Sequence, residues 1–154
     1  MQVDMFLKLD DIKGESRDAK HKDEIDILTY SLGAVQSATT HAGSGGGSGK
    51  VKMHDLSLTK LVDKATPNLF VACCSGKHFK EAILTVRKAG ENPLEYLKIV
   101  MKQVLVSSYS SGNGTENISL NFAEVLMEYV PQMADGSGAA SILVGWDIAR
   151  NVKV

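Results

Sequence analysis

Residues 116–130 read ENISLNFAEVLMEYV, and their alternation changes phase midway. Ile118, Leu120 and Phe122 are apolar at even positions, whereas Val125, Met127 and Tyr129 are apolar at odd ones. Successive side chains of a strand point to opposite faces, so one buried face requires a period of two. After the change, Glu124 and Glu128 hold the even positions. A strand that swaps its buried face needs a bulge or a sharp bend, here near Ala123. Such bends turn a barrel corner or carry a strand between two packed sheets.

The rest of the chain supports the same architecture. In VDMFLKL (3–9), Val3, Met5 and Leu7 share a face. In IDILTYSLG (25–33), bulky Leu28, Tyr30 and Leu32 oppose small Thr29, Ser31 and Gly33, and the bulky face is expected in the core. Further alternating runs are VKMHDLSLT, EAILTVRKA, LEYLKIVMKQVLVSS and SILVGWDIARNVKV; in the last, Ile142, Val144, Trp146 and Ile148 fall on one side. The fold class is mainly β: a barrel or sandwich of two packed antiparallel sheets. One helix is signalled in ATPNLFVACCSGKH (65–78), with Thr66 as N-cap, Pro67 in the first turn and Gly76 as the left-handed C-terminal residue. Leu69, Phe70 and Cys73 are its expected packing face. Loops are expected at 14–22, 41–49, 110–116 and 134–141.

Composition bounds the function. At 154 residues, 44% hydrophobic and 23% charged, the chain is expected to be one globular domain over 1–154. A formal charge of −1 supplies no basic surplus for nucleic acid and does little to oppose self-association. No run reaches the roughly 18 apolar residues of a membrane span. The N-terminal MQVDMFLKLD, broken by Asp4 and Lys8, is not a signal peptide. Adjacent Cys73 and Cys74 read as small apolar helix residues rather than a disulfide framework.

No catalytic constellation emerges. The run GSGGGSGK (43–50) resembles a phosphate-cradling loop, but Ser44 stands where the pattern needs its first glycine. Val51 stands where it needs a magnesium-binding hydroxyl. Strand-like residues follow, so the run reads as a flexible tether. His21, His41, His54 and His78 lack metal-ligand spacing and read as surface residues. Asp10-Asp11 lacks the later elements of a calcium loop. Lys52, Lys60, Lys64, Lys77 and Lys80 alternate with acidic residues and read as a solvated face. No cofactor or metal is expected.

The words of the chain, taken together, resemble the haemolysin-coregulated protein (Hcp) family, the tube subunit of bacterial type VI secretion. The matching stretches are VDMFLKLDDIKGES, HKDEIDIL, HDLSLTKLVDKATPNLFVACCSGKHF, LTVRKAGENPLEYLKIVMKQVLVSSYS, ENISLNFAEVLMEYVPQ and GWDIARNV, end to end. The resemblance implies a two-sheet β-barrel with a flanking helix, similar to phage tail-tube proteins, and a homohexameric ring. It implies rings stacked into a tube within a contractile sheath, capped by a VgrG-type spike, with effectors held in the lumen. It implies a cytoplasmic protein that is secreted without a signal peptide. It further implies that the loop Gly43, Ser44, Gly45, Gly46, Gly47, Ser48 and Gly49 contacts neighbouring subunits. Thr29 and Ser31, small and mildly polar, are the expected lumen-facing effector contacts. Two rival readings are a hollow ligand-binding barrel and an enzyme using residues 43–50 for phosphates.

Overall fold

The computed structural model describes residues 2–36 and 50–154. The strands run β1 (Val3–Leu9), β2 (Ile25–Ile27), β3 (Thr29–Ser31), β4 (Ala34–Gln36), β5 (Val51–Met53) and β6 (Leu56–Leu61). After helix α1 (Thr66–Ser75) come β7 (His78–Lys88), β8 (Leu94–Gly112), β9 (Thr115–Asn121), β10 (Glu124–Tyr129), β11 (Ile142–Asp147) and β12 (Val152–Lys153). Ten strands form one antiparallel sheet with the path β12-β11-β10-β8-β7-β1-β2, from which β9, β6 and β3 branch at β8. The hairpin β4–β5 forms a second, two-stranded sheet.

The phase change at 122–123 is where the branch arises. Residues 115–121 pair with the second half of β8, and 124–129 pair with its first half. Phe122 and Ala123 lie between the two strands, and the Ala123 N–H bonds the Lys102 carbonyl at 3.0 Å. β8 turns in step. Its buried residues are Ile99 and Met101 before the turn, then Val104 and Val106 after it. Gln103, at the change, has φ 55°, the left-handed bulge conformation that lets a strand exchange faces. Both partners therefore bend together and fold the sheet over one core of Leu7, Ile25, Leu56, Leu58, Leu84, Ile99, Met101, Ile118 and Leu120, all buried.

The barrel expectation requires correction. The ends of the folded path, β2 and β3, are consecutive in the chain, and the Leu28 N–H bonds the Thr59 carbonyl at 2.8 Å. No ladder joins them, so no closed barrel is found among the described residues. Leu28 itself is the point of crossover. Ile25 and Ile27 are buried, Leu28 is 48% exposed, and only Tyr30 and Leu32 pack on the core from the face assigned to it.

Other expectations also shift. The loop at 110–116 is a two-residue hairpin turn, Asn113-Gly114, both at positive φ (55° and 80°), the conformation of a type I′ turn. Thr66 is the first helical residue rather than the cap. The N-cap is Ala65, and Asp63 braces the turn before it, its carboxylate accepting the Ala65 N–H at 2.9 Å. Gly76 does end the helix at φ 65°. α1 buries Leu69 and Ala72 with Cys73 half-buried, while Phe70 is 51% exposed with its ring edge on Tyr109.

Two polar clusters hold the periphery to the core. Lys60, expected on a solvated face, is fully buried beneath α1. Its ammonium bonds Glu116 Oε1 at 2.5 Å, Asp63 Oδ1 at 2.8 Å and the Leu61 carbonyl at 2.9 Å. Thr66 Oγ1 and the Tyr109 hydroxyl also donate to Glu116. Burial pushes the Glu116 carboxyl up, but these hydrogen bonds outweigh it and leave it below its usual range. The second cluster pins the segment 13–24. Arg87 grips Asp18 with two bonds, at 2.5 and 3.1 Å, and reaches Asp4 at 3.3 Å. His21 is 8% exposed rather than on the surface. Its ring stacks on Phe6 at 4.4 Å and its nitrogens meet Glu24 at 3.0 Å and Glu95 at 2.5 Å. Gly14 passes so close to the Glu24 carbonyl that a Cβ would sit 2.5 Å from it, which is why glycine occupies this turn.

Candidate assembly surfaces

The branch β3-β6-β9-β8 presents an outward face of small polar side chains, with the Asp55 carboxylate, just ahead of β6, at its edge, accepting from Ser107 at 2.6 Å and from Asn121 at 2.9 Å. Register places Thr29, Thr59, Asn117 and Ser110 side by side in one row across the four strands. Ser31, Ser57, Ser119 and Ser108 form the next row. Partners across neighbouring strands share a face, so these side chains make one continuous field of hydroxyls and an amide. Thr29, Ser31, Ser57, Ser108, Ser110 and Asn117 are exposed. Thr59 donates to the Asn117 side-chain oxygen at 2.8 Å. Between the rows, Tyr30, Leu58, Ile118 and Tyr109 turn inward to the core. The outer face of the other branch differs: Lys98 pairs with Glu128, and Lys102 with Glu124 and Glu81.

Thr29 and Ser31 are exposed on β3, the edge strand of a larger field. Its other members lie in LSLT, SSYS and ENIS, where small polar residues alternate with apolar ones. That pattern is legible, but only strand register brings the segments together. Gly43, Ser44, Gly45, Gly46, Gly47, Ser48 and Gly49 lie outside the described residues.

A second surface is apolar. Ile99, Met101 and Val125 are buried on the inner face of β8 and β10. The same face continues past the core as the cross-strand pairs Met127–Val144 and Tyr129–Ile142. Exposure along it rises to 38% at Met127, 45% at Tyr129, 47% at Val144 and 59% at Ile142. Met127, Val144 and Trp146, with Leu32, Ala34 and Met53, line a groove of about 320 Å³. The Trp146 indole N–H is buried there without an acceptor. A third surface is the outward side of α1, where Phe70 and Val71 are 51% and 57% exposed.

Among the described residues no cluster of His, Cys, Asp or Glu is arranged to hold a metal ion, and no helix is long and apolar enough to cross a membrane. The described residues make a mainly β protein with one helix, a small-polar sheet face and exposed apolar surfaces. Residues 6–129 match the family described as type VI secretion system effector, Hcp. The chain is 53% identical to Protein hcp1 of Pseudomonas aeruginosa over 161 aligned positions, covering 99% of each. Its fold is similar to the crystal structure of Hcp1 from Salmonella typhimurium, with TM-score 0.83, 42% identity and all of both chains covered. A structure described as a type six secretion system protein aligns with TM-score 0.91 at 32% identity, over 99% of this chain and 100% of that one. The chain belongs to the Hcp family; it is a structural tube component of type VI secretion and not an enzyme.

Proposed function

We propose that six copies of this chain close into a ring, that rings stack into the expelled tube, and that the small-polar face of β3-β6-β9-β8 lines the lumen and holds effector proteins. The observation that carries the reading is the uniform field containing Thr29 and Ser31. A channel wall that must both hold and release folded cargo is served by short neutral polar groups. They neither project into the lumen nor impose a strong field on charged cargo. The chain acts as one domain, waits in the bacterial cytoplasm and leaves with the tube. The VgrG-type spike caps the tube and the contractile sheath surrounds it. The loop of residues 43–49 packs against neighbouring subunits, where small residues allow close backbone approach.

Native mass spectrometry and negative-stain microscopy of the purified chain test the ring. A particle of six chains with an open centre is expected, and a monomer at micromolar concentration defeats the reading. The lumen is tested with Ser31→Arg. The ring should persist, because a water-filled channel hydrates arginine, while effector co-purification changes. Unaltered capture of every effector would return Ser31 to ordinary surface. Deleting residues 44–48 should weaken assembly while preserving the β circular dichroism spectrum.

A further inference from the structure

We propose that Asp55 selects the cargo: its carboxylate, at the edge of the small-polar face, binds a lysine or arginine on the surface of an effector protein. This inference rests on the lumen reading above and names the chemistry that the held protein must present. The rows that contain Thr29 and Ser31 are uncharged. Hydroxyls of this kind set the polarity of a wall, but discrimination between partners comes chiefly from complementary charge.

Three strands converge to fix this carboxylate. Asp55 lies two residues before Ser57 and shares its face. At the end of β9 the Asn121 side-chain amide donates to Asp55 Oδ1 at 2.9 Å. On β8 the register against β9 shifts between Val106 and Ser108, which leaves Ser107 as the extra residue of a bulge. The Ser107 hydroxyl donates to Asp55 Oδ2 at 2.6 Å. Each carboxylate oxygen thus holds one neutral donor and keeps room for another. Neutral donors orient the group without cancelling its charge. Among the described residues no lysine, arginine or histidine pairs with it. On the other branch, by contrast, Glu124 and Glu128 lie opposite Lys102 and Lys98.

A fixed, unpaired carboxylate suits a cationic partner. Its orientation is already set, so a cargo ammonium or guanidinium gains a charge-assisted hydrogen bond without the cost of ordering the acceptor. Copies of Asp55 around one lumen add their fields, drawing in basic surfaces and turning away acidic ones.

Rings of wild type, Asp55→Asn and Asp55→Glu, each verified by native mass spectrometry, test the contact. Asparagine keeps the size of the side chain and can bond both neighbours while losing the charge; glutamate keeps the charge. Two probes are used: tetralysine, titrated by calorimetry at low salt, and one effector that co-purifies with the wild-type ring. Asp55→Asn should bind tetralysine about tenfold more weakly, the loss of one hydrogen bond to a charged group. It should also lose effector capture, and Asp55→Glu should recover part of both. Glu128→Gln, on the other branch, should bind tetralysine as wild type does. Unchanged binding of either probe by Asp55→Asn overturns the proposal, and so does an Asp55→Asn chain that forms no ring, since Asp55 would then serve assembly. Normal effector capture by Ser31→Arg defeats the lumen reading itself. Capture lost with Ser31→Arg but kept with Asp55→Asn defeats only the role of Asp55, so the two failures are distinct.

Discussion

Gln103 is the residue on which the fold turns. At φ 55° it holds a conformation that side chains with a Cβ adopt at a cost and β-branched ones avoid. Gln103→Val should therefore lower stability by about 1–3 kcal/mol. Gln103→Gly should stay within about 1 kcal/mol of wild type, since glycine enters this region freely. Urea unfolding of both variants checks the contrast, and equal losses would place the bend elsewhere. Asp18 makes a second prediction at this scale. The Arg87 guanidinium holds its carboxyl well below the usual range, so its contribution is present above about pH 4 and fades as acid protonates the folded form. The stability gap between wild type and Asp18→Asn should be widest near neutrality and narrow below about pH 4. Thermal melts across that range provide the measurement; a constant gap would deny the ion pair its role.

Among the elements, α1 depends on a charge pair that no local pattern announces. Lys60 and Glu116 are both fully buried, and removing one partner strands the other in the core. Lys60→Met should destabilise by about 3–5 kcal/mol, and adding Glu116→Gln should recover part of the loss. Recovery by the second substitution, read from denaturation midpoints, separates a stranded charge from lost packing. Lys60 looked solvated because its neighbours Asp63 and Lys64 are charged, while its partner lies 56 residues away. His21 misleads for the same reason, with Glu95 74 residues distant. The bend at Ala123 was readable because Glu124 and Glu128 mark the outward face. The matching bend in β8 was not, because Ile99, Val100, Met101, Val104, Leu105 and Val106 are apolar on both faces and period two has nothing to contrast. Thr29 and Ser31 were readable as a small polar face. Its extent was not, because register belongs to the folded sheet.

At the scale of the whole molecule, charge distinguishes the two outward faces: small polar rows on the β3-β6-β9-β8 branch, with Asp55 at their edge, and ion pairs on the other. Asn117→Lys should disturb effector capture as Ser31→Arg does, since both side chains belong to the neutral field. Glu128→Gln, on the ionic face, should leave capture unchanged. Co-purification of one effector with all three variants decides this, and an equal response from Glu128→Gln would remove the distinction between the faces.

The shared strand has a mechanical consequence. In a sandwich whose layers are joined only by loops, a pulling force can slide one sheet over the other by parting side chains. Here β8 runs from Leu94 to Gly112 through both layers, laddered to β7 and β10 in one and to β9 in the other. Sliding the layers apart would shear a row of backbone hydrogen bonds together, or stretch the covalent chain itself. A subunit built this way can be thrust end-on as a rigid tile, and its stiffness resides in the main chain rather than in the packing of its core.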